Sequence, residues 1–253
     1  MSDTKTYTAA LMIIGNEVLS GRTRDANLQY IGTELNVLGV RLMEVRVIPD
    51  IEREIVEAVN ALRHKFDYVF TTGGIGPTHD DITSAAIARA FGLKHGRHPQ
   101  AEALLLAHYR PEDVTAARMK MSETPEGAEL LFNPVSKAPG FRVENVYVMA
   151  GIPRVMQAMF EGFRHTLAGG APMLSRSVAA FVGEGALGDE LGEIQSRYPE
   201  VEIGSYPFVR DGRFGTSLVV RYTDLSLIDQ VISEIAGLVR RHGVEPEDER
   251  GPT

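Results

Sequence analysis

Along the first 95 residues short, strand-like apolar runs alternate with longer segments of helical spacing. Residues 7–14 (YTAALMII) form a compact apolar run ending at Gly15, which predicts a buried strand. Residues 25–38 repeat apolar positions at Leu28, Ile31, Leu35 and Leu38, the spacing of a helix face, and Gly39 closes the segment. Residues 40–48 (VRLMEVRVI) alternate as a second strand stopped by Pro49, and residues 51–64 carry Ile51, Ile55, Val59 and Leu62 on one helical face. Residues 67–72 predict a third strand, 73–78 a turn-rich loop, and 80–91 a helix closed by Gly92. Strands and helices in strict alternation imply a mainly parallel sheet with helices on both faces, a three-layer α/β/α arrangement.

The pattern then loosens. Residues 99–121 are helical with an interruption near Pro111, and 125–141 combine loop and short strands. Residues 141–149 suggest a hairpin around Glu144-Asn145, and 152–167 another helix. The run Ala168-Gly169-Gly170-Ala171-Pro172 marks a linker. Beyond it come a strand (177–182), a helix (187–198), two strands (202–209 and 214–222) joined at Asp211-Gly212, and a helix (225–241). The expected domains are therefore 1–170, a second, smaller α+β domain over 175–245, and a disordered tail over 246–253.

Composition narrows the chemistry. The chain of 253 residues holds 26 Lys plus Arg against 34 Asp plus Glu, a formal charge of −8, which argues against long nucleic acids as partners. The absence of Cys rules out disulfides, thiol catalysis and Cys-ligated metals. No apolar run reaches the roughly 20 residues of a membrane span, and the polar start lacks a signal-like core, so the expectation is a cytoplasmic protein with no membrane partner. The small domain carries 7 Arg, no Lys and 11 acidic residues, a poor footprint for RNA; its Gly185–Gly188 run (GALG) matches an RNA-binding GxxG loop only superficially. None of the seven histidines falls in a convincing metal spacing.

Three segments carry candidate chemistry. The first runs from Thr71 to Thr83 (TTGGIGPTHDDIT), between a buried strand and a helix, where ligands bind at the carboxyl edge of open α/β sheets. Gly73, Gly74 and Gly76 let the backbone approach a ligand and offer N–H groups to a phosphate. Thr72, Thr78 and Thr83 add hydroxyls. Asp80 and Asp81 would repel a bare phosphate, so they suggest a divalent metal, Mg2+ or similar, held between carboxylate and phosphate. The structural alternative is a strand–helix turn in which an Asp caps the helix. The second segment, Gly15 to Asn27, emerges on the same sheet edge; Gly15, Asn16, Glu17, Asp25 and Asn27 could meet sugar hydroxyls, a ring edge or the metal, or Asp25 could simply cap the next helix. The third, Asn133 to Phe141 with Gly151 beyond it, offers Lys137 against phosphate charge and a helix start at Pro153.

Taken together these segments resemble one family. TTGGIGPTHDDIT resembles the signature of the molybdopterin-binding domain shared by MogA/MoaB, MoeA and CinA proteins. IGNEVLSGRTRDAN, NPVSKAPGF and AGIPRVMQAMF resemble three further motifs of the CinA branch, and the trailing domain resembles the KH-like domain of that branch in order and length. The sequence departs from those motifs at Ser136, Ala150 and Val155, and across 119–127. The resemblance implies a three-layer α/β/α fold with a KH-like second domain, a homo-oligomer, and a small phosphorylated ligand such as an ADP-ribose-like nucleotide or molybdopterin. It implies metal-dependent pyrophosphate hydrolysis, with Asp80, Asp81 and Glu17 in catalytic roles and Asp80 and Asp81 on the metal. The alternatives are a molybdopterin-binding or adenylating protein and a non-catalytic binding module; a related domain accompanies eukaryotic FAD synthetase. The amidase domain of longer CinA proteins is expected to be missing.

Overall fold

The computed structural model describes residues 5–249, which fall into two compact units dividing between Gly170 and Ala171. The first unit opens with β1 (Tyr7–Ile14), a one-turn α1 (Asn16–Leu19), α2 (Asn27–Val37), β2 (Val40–Ile48), α3 (Glu52–Arg63), β3 (Tyr68–Thr72) and α4 (Thr83–Phe91). An excursion follows: β4 (His95–Arg97), α5 (Pro99–His108), α6 (Ala116–Lys120), β5 (Glu123–Pro125) and β6 (Glu129–Leu131). The chain returns through β7 (Gly140–Val143), β8 (Val146–Met149) and α7 (Pro153–Phe163). The predicted helix over 80–91 begins three residues later, and the predicted 152–167 helix ends in a short 3₁₀ turn at Arg164–Thr166.

The large sheet has the order β2-β1-β3-β8-β7-β6, with β2, β1, β3 and β8 mutually parallel and β7 antiparallel to both its neighbours. The apolar run of β1 is explained by burial on both faces. Ala10, Met12 and Ile14 pack with Ile55, Val59 and Leu62 of α3 and with Ala86 and Ile87 of α4. Ala9, Leu11 and Ile13 pack on the other face with Ile31 and Leu35 of α2 and with Met156 and Phe160 of α7. On that face Phe70, Tyr147, Phe160 and Phe163 form an aromatic cluster, with Tyr147 and Phe163 stacked at 4.9 Å.

The second unit holds β9 (Leu174–Ala180), α8 (Glu184–Arg197), β10 (Glu202–Arg210), β11 (Arg213–Tyr222), α9 (Leu225–Arg241) and β12 (Glu247–Glu249), with an antiparallel sheet ordered β10-β11-β9-β12. Leu187, Leu191 and Ile194 of α8 and Ile228, Val231, Ile235 and Leu238 of α9 cover Val178, Ala180, Leu218 and Val220 on one face. Asp224 caps α9 by accepting the Ser226 N–H at 2.8 Å, and Asp211 and Gly212, both at positive φ, make the tight turn between β10 and β11.

Two expectations are corrected here. The tail is not disordered over 247–249: those residues pair with β9 as an edge strand, while 250–253 lie outside the described residues. The GALG run lies in the first turns of α8, which starts at Glu184, three residues before the expected helix. Among the described residues no helix is long and apolar enough to cross a membrane.

The aromatic cluster yields a test. Phe160 is fully buried, so Phe160→Ala should lower stability by about 3–5 kcal/mol, measured as a fall in the urea midpoint with an unchanged slope.

Candidate functional site

Strands β1, β3 and β8 are neighbours and run parallel, so their carboxyl ends deliver three loops to one edge of the sheet. Glycine makes the convergence possible. Gly73 has φ +103°, and a Cβ there would stand 2.1 Å from the Ile14 carbonyl oxygen. Gly74 has φ +69°, and its Cβ would stand 2.1 Å from Thr83 Oγ1. A Cβ on Gly151 would approach the Gly73 Cα at 3.2 Å. The three loops therefore touch backbone to backbone.

Over this junction lies a cavity of about 520 Å³. Its apolar wall is Ile14, Ile152, Val155 and Met159, with Tyr109 and Met121 from the excursion opposite. Its polar wall holds Glu17, Asp50, Asp80 and Asp81, together with Thr78, Asn133 and Ser136. Among the described residues no Lys or Arg lines it. The loop after β3 supplies donors: no protein acceptor meets the N–H of Gly74, Ile75 or Gly76 among the described residues.

The two aspartates divide. Asp81 Oδ2 accepts the Thr78 N–H at 2.8 Å and the Thr78 hydroxyl, and its carboxylate lies over Gly76, where a Cβ would meet Oδ2 at 2.7 Å. That oxygen belongs to the turn; it caps no helix, since α4 begins at Thr83 without a side-chain cap. Asp80 is exposed at the rim; the Thr78 hydroxyl first, and then its own backbone N–H, hold its carboxyl below the ordinary carboxylate range. Glu17 folds its carboxylate back over Gly15. Asp50, which the sequence reading did not single out, accepts the Asn16 N–H at 2.9 Å and faces the cavity.

Several predicted site residues have other duties. The Gly73 N–H donates to the Met149 carbonyl at 3.1 Å and is unavailable to a ligand. Thr72 and Thr83 are buried with hydroxyls that find no partner among the described residues, and the Thr83 N–H donates to the Gly74 carbonyl at 2.9 Å. Asn16 is exposed and does not line the cavity; its N–H steadies Asp50. Asp25 Oδ1 accepts the Leu28 N–H at 2.9 Å, tying the start of α2. Asn27 donates from Nδ2 to the Gly151 carbonyl at 2.8 Å, binding two loops together, and its buried Oδ1 has no partner. Asp25, Asn27, Thr72, Glu17 and Gly151 share a small adjoining hollow.

Lys137 is a correction. Its residue sits at φ +62°, and its side chain lines a different hollow with Leu104, Phe132 and Ala158. Its segment does reach the cavity, through Asn133 and Ser136, because Asn133 Nδ2 donates to Ser136 Oγ and to the Ala138 carbonyl and fixes the turn. The cation near the loop is instead Lys120 at the end of α6, whose Nζ donates to the Thr78 carbonyl at 2.6 Å. No local pattern announced Lys120, because the excursion brings it back over 42 residues. Asp50 did have a signal: it follows Pro49 at the carboxyl end of a predicted strand.

Among the described residues no three His, Asp or Glu side chains gather as a metal group. Carboxylates from three loops nevertheless line one cavity.

The loop geometry makes a sharp prediction. Gly92 has φ +65° with nothing within 4 Å of a Cβ, so Gly92→Ala should cost about 1 kcal/mol of backbone strain. Gly74→Ala should cost roughly 1–3 kcal/mol more, since it adds overpacking against Thr83; urea unfolding of the two variants gives the comparison.

Comparison with known proteins agrees with this architecture. A family model described as "Probable molybdopterin binding domain" matches residues 10–169, and one described as "FAD synthase, middle domain" matches 172–248. A protein of Pyrobaculum calidifontis is 36% identical over 211 residues, covering 79% of this chain and 80% of its own. A probable FAD synthase of Caenorhabditis elegans is 28% identical over 264 aligned positions, 93% of this chain but 50% of that one. The crystal structure of the protein CinA from Thermoplasma acidophilum, described as of unknown function, superposes with a TM-score of 0.60 at 31% identity, covering 64% of this chain and 98% of that one.

Proposed function

This chain belongs to the molybdopterin-binding domain family, and from that premise we propose that its cavity binds a phosphorylated nucleotide and, with a divalent cation, hydrolyses the pyrophosphate of ADP-ribose or a similar compound. One observation carries the reading: a loop of free N–H groups, at Gly74, Ile75 and Gly76, opens into a cavity with four carboxylates and no lining Lys or Arg. Free N–H groups suit phosphate oxygens. Four carboxylates oppose the same phosphate unless a cation travels with it.

Asp80 and the second oxygen of Asp81 would hold that cation, which when bound neutralises phosphate charge and polarises the phosphoryl group. The remaining work falls to the chain. The N–H groups of Gly74 to Gly76 bind the non-bridging oxygens. Glu17, on the facing loop, takes a proton from the attacking water as general base. Water oxygen bonds to one phosphorus, the bridging P–O bond breaks, and AMP and ribose 5-phosphate leave. Ile152, Val155 and Met159 give the base an apolar wall, and the hollow at Asp25 and Asn27 offers acceptors to sugar hydroxyls. The family description itself favours a second reading, a molybdopterin-binding protein.

Purified protein incubated with ADP-ribose and Mg2+ should release AMP, followed by chromatography. Asp80→Ala should lower turnover at least about 100-fold, with an unchanged melting temperature because Asp80 is exposed. Tight nucleotide binding without release would leave a binding module, and ATP-dependent conversion of molybdopterin would favour the second reading.

A further inference from the structure

The large sheet ends at β6 on one side, a strand of three residues, and at β2 on the other, a strand of nine. The outer edge of β2 is unpaired among the described residues, and an open edge of that length is a template for another strand. The Gly15 N–H donates to the Ile48 carbonyl at 3.1 Å, so residue 48 turns its backbone polar groups toward β1. Alternation along the strand then turns those of Val45 and Val47 outward. The ladder to β1 skips Met43, a bulge, and runs in unbroken register from Glu44 to Ile48. That register sets Val45 beside Leu11 and Val47 beside Ile13, on the face covered by α2 and α7. Even so, Val45 and Val47 stay 38% and 40% exposed, and Met43 60%. The opposite face carries Glu44 and Arg46. Arg46 Nε donates to one oxygen of Glu44 at 2.8 Å, and Lys65 Nζ donates to the other at 2.7 Å.

We propose that β2 pairs antiparallel with β2 of a second copy of this chain, about a two-fold axis through Val45. The run Leu42 to Ile48 (LMEVRVI) is complementary to itself in that register. Val45 meets Val45 of the partner subunit, Glu44 meets Arg46 of the partner subunit, and Met43 meets Val47 of the partner subunit. Moving the axis one residue either way would set Glu44 against itself or Arg46 against itself. Opposite charges across a strand pair stabilise it and like charges oppose it, so charge selects this register. The backbone agrees. A residue on the axis must turn both its polar groups outward to exchange two hydrogen bonds with its copy, and Val45 does. Val45 and Val47 of both copies then adjoin on one face and leave water together. The contact is isologous and closes on itself, so it ends at two copies and leaves no β2 edge open to further strands. It owes nothing to what the cavity binds.

Sedimentation of the full chain over a dilution series tests the pairing. The wild-type protein should reach twice the 27.7 kDa of one chain and dissociate on dilution. Val45→Pro removes an outward N–H while the bonds to β1 remain, a position where an edge strand tolerates proline. It should give a monomer with an unchanged far-UV spectrum. Glu44→Arg and Arg46→Glu each set like charges across the axis and should each raise the dimer Kd at least about tenfold; the two together should restore it. The chain has no Cys, so an introduced thiol reads the register. Val45→Cys should oxidise to a covalent dimer, its two Cα atoms about 5.5 Å apart, and Val47→Cys should not. A wild-type monomer, or an assembly that every variant leaves intact, would overturn the pairing. So would cross-linking at Val47→Cys in place of Val45→Cys, or a charge exchange that weakens the dimer as much as either single change. If Val45→Pro fails to fold, the charge exchange and the two thiol variants decide the same question.

Discussion

The site depends on one steric fact: at the carboxyl ends of β1, β3 and β8 the backbone comes so close that no side chain fits between the loops. Gly73 lies against the Ile14 carbonyl, Gly151 against Gly73, and Gly74 against Thr83. Main-chain hydrogen bonds then fasten the contact, from Gly73 N–H to Met149 and from Thr83 N–H to Gly74. With those N–H groups spent on the scaffold, the next ones, at Gly74, Ile75 and Gly76, have no protein acceptor among the described residues, and all three residues line the cavity. A loop held this way is preorganised, and a ligand need not supply the ordering.

Electrostatics builds on that geometry. The cavity gathers carboxylates from three different loops, and one of them, Asp81, is committed to the turn through Thr78. The turn is gripped a second time by Lys120 at the Thr78 carbonyl. Thr78 is therefore the residue through which an acidic and a basic side chain, from different parts of the chain, fix one another. Ala150 and Val155, where the sequence departs from the family motif, both line the cavity with apolar side chains.

The elements of the first unit were largely legible. The unbroken apolar run of residues 7–14 could only be a strand covered on both sides, and Ile55, Val59 and Leu62 fall where helical spacing put them. That Glu17, Asp81 and Gly74 line one cavity was legible because each sits in a loop that follows a buried strand. Lys137 was misread because loop position fixes where a residue is and not where its side chain goes; positive φ at 137 turns it to another hollow. The strand Glu247–Glu249 was illegible because three acidic residues have little strand propensity, and only the exposed edge of β9 gives them a partner.

The sequence by itself determined the layered fold, the glycines at the sheet edge and the types of group that meet there. Periodicity and backbone freedom are local properties and are written residue by residue. Tertiary structure decided which groups remain free for chemistry. Whether Gly73 or Gly74 keeps its N–H, and that Lys120 rather than Lys137 stands beside the loop, depend on partners distant along the chain. Such pairings exist only once the strands have aligned.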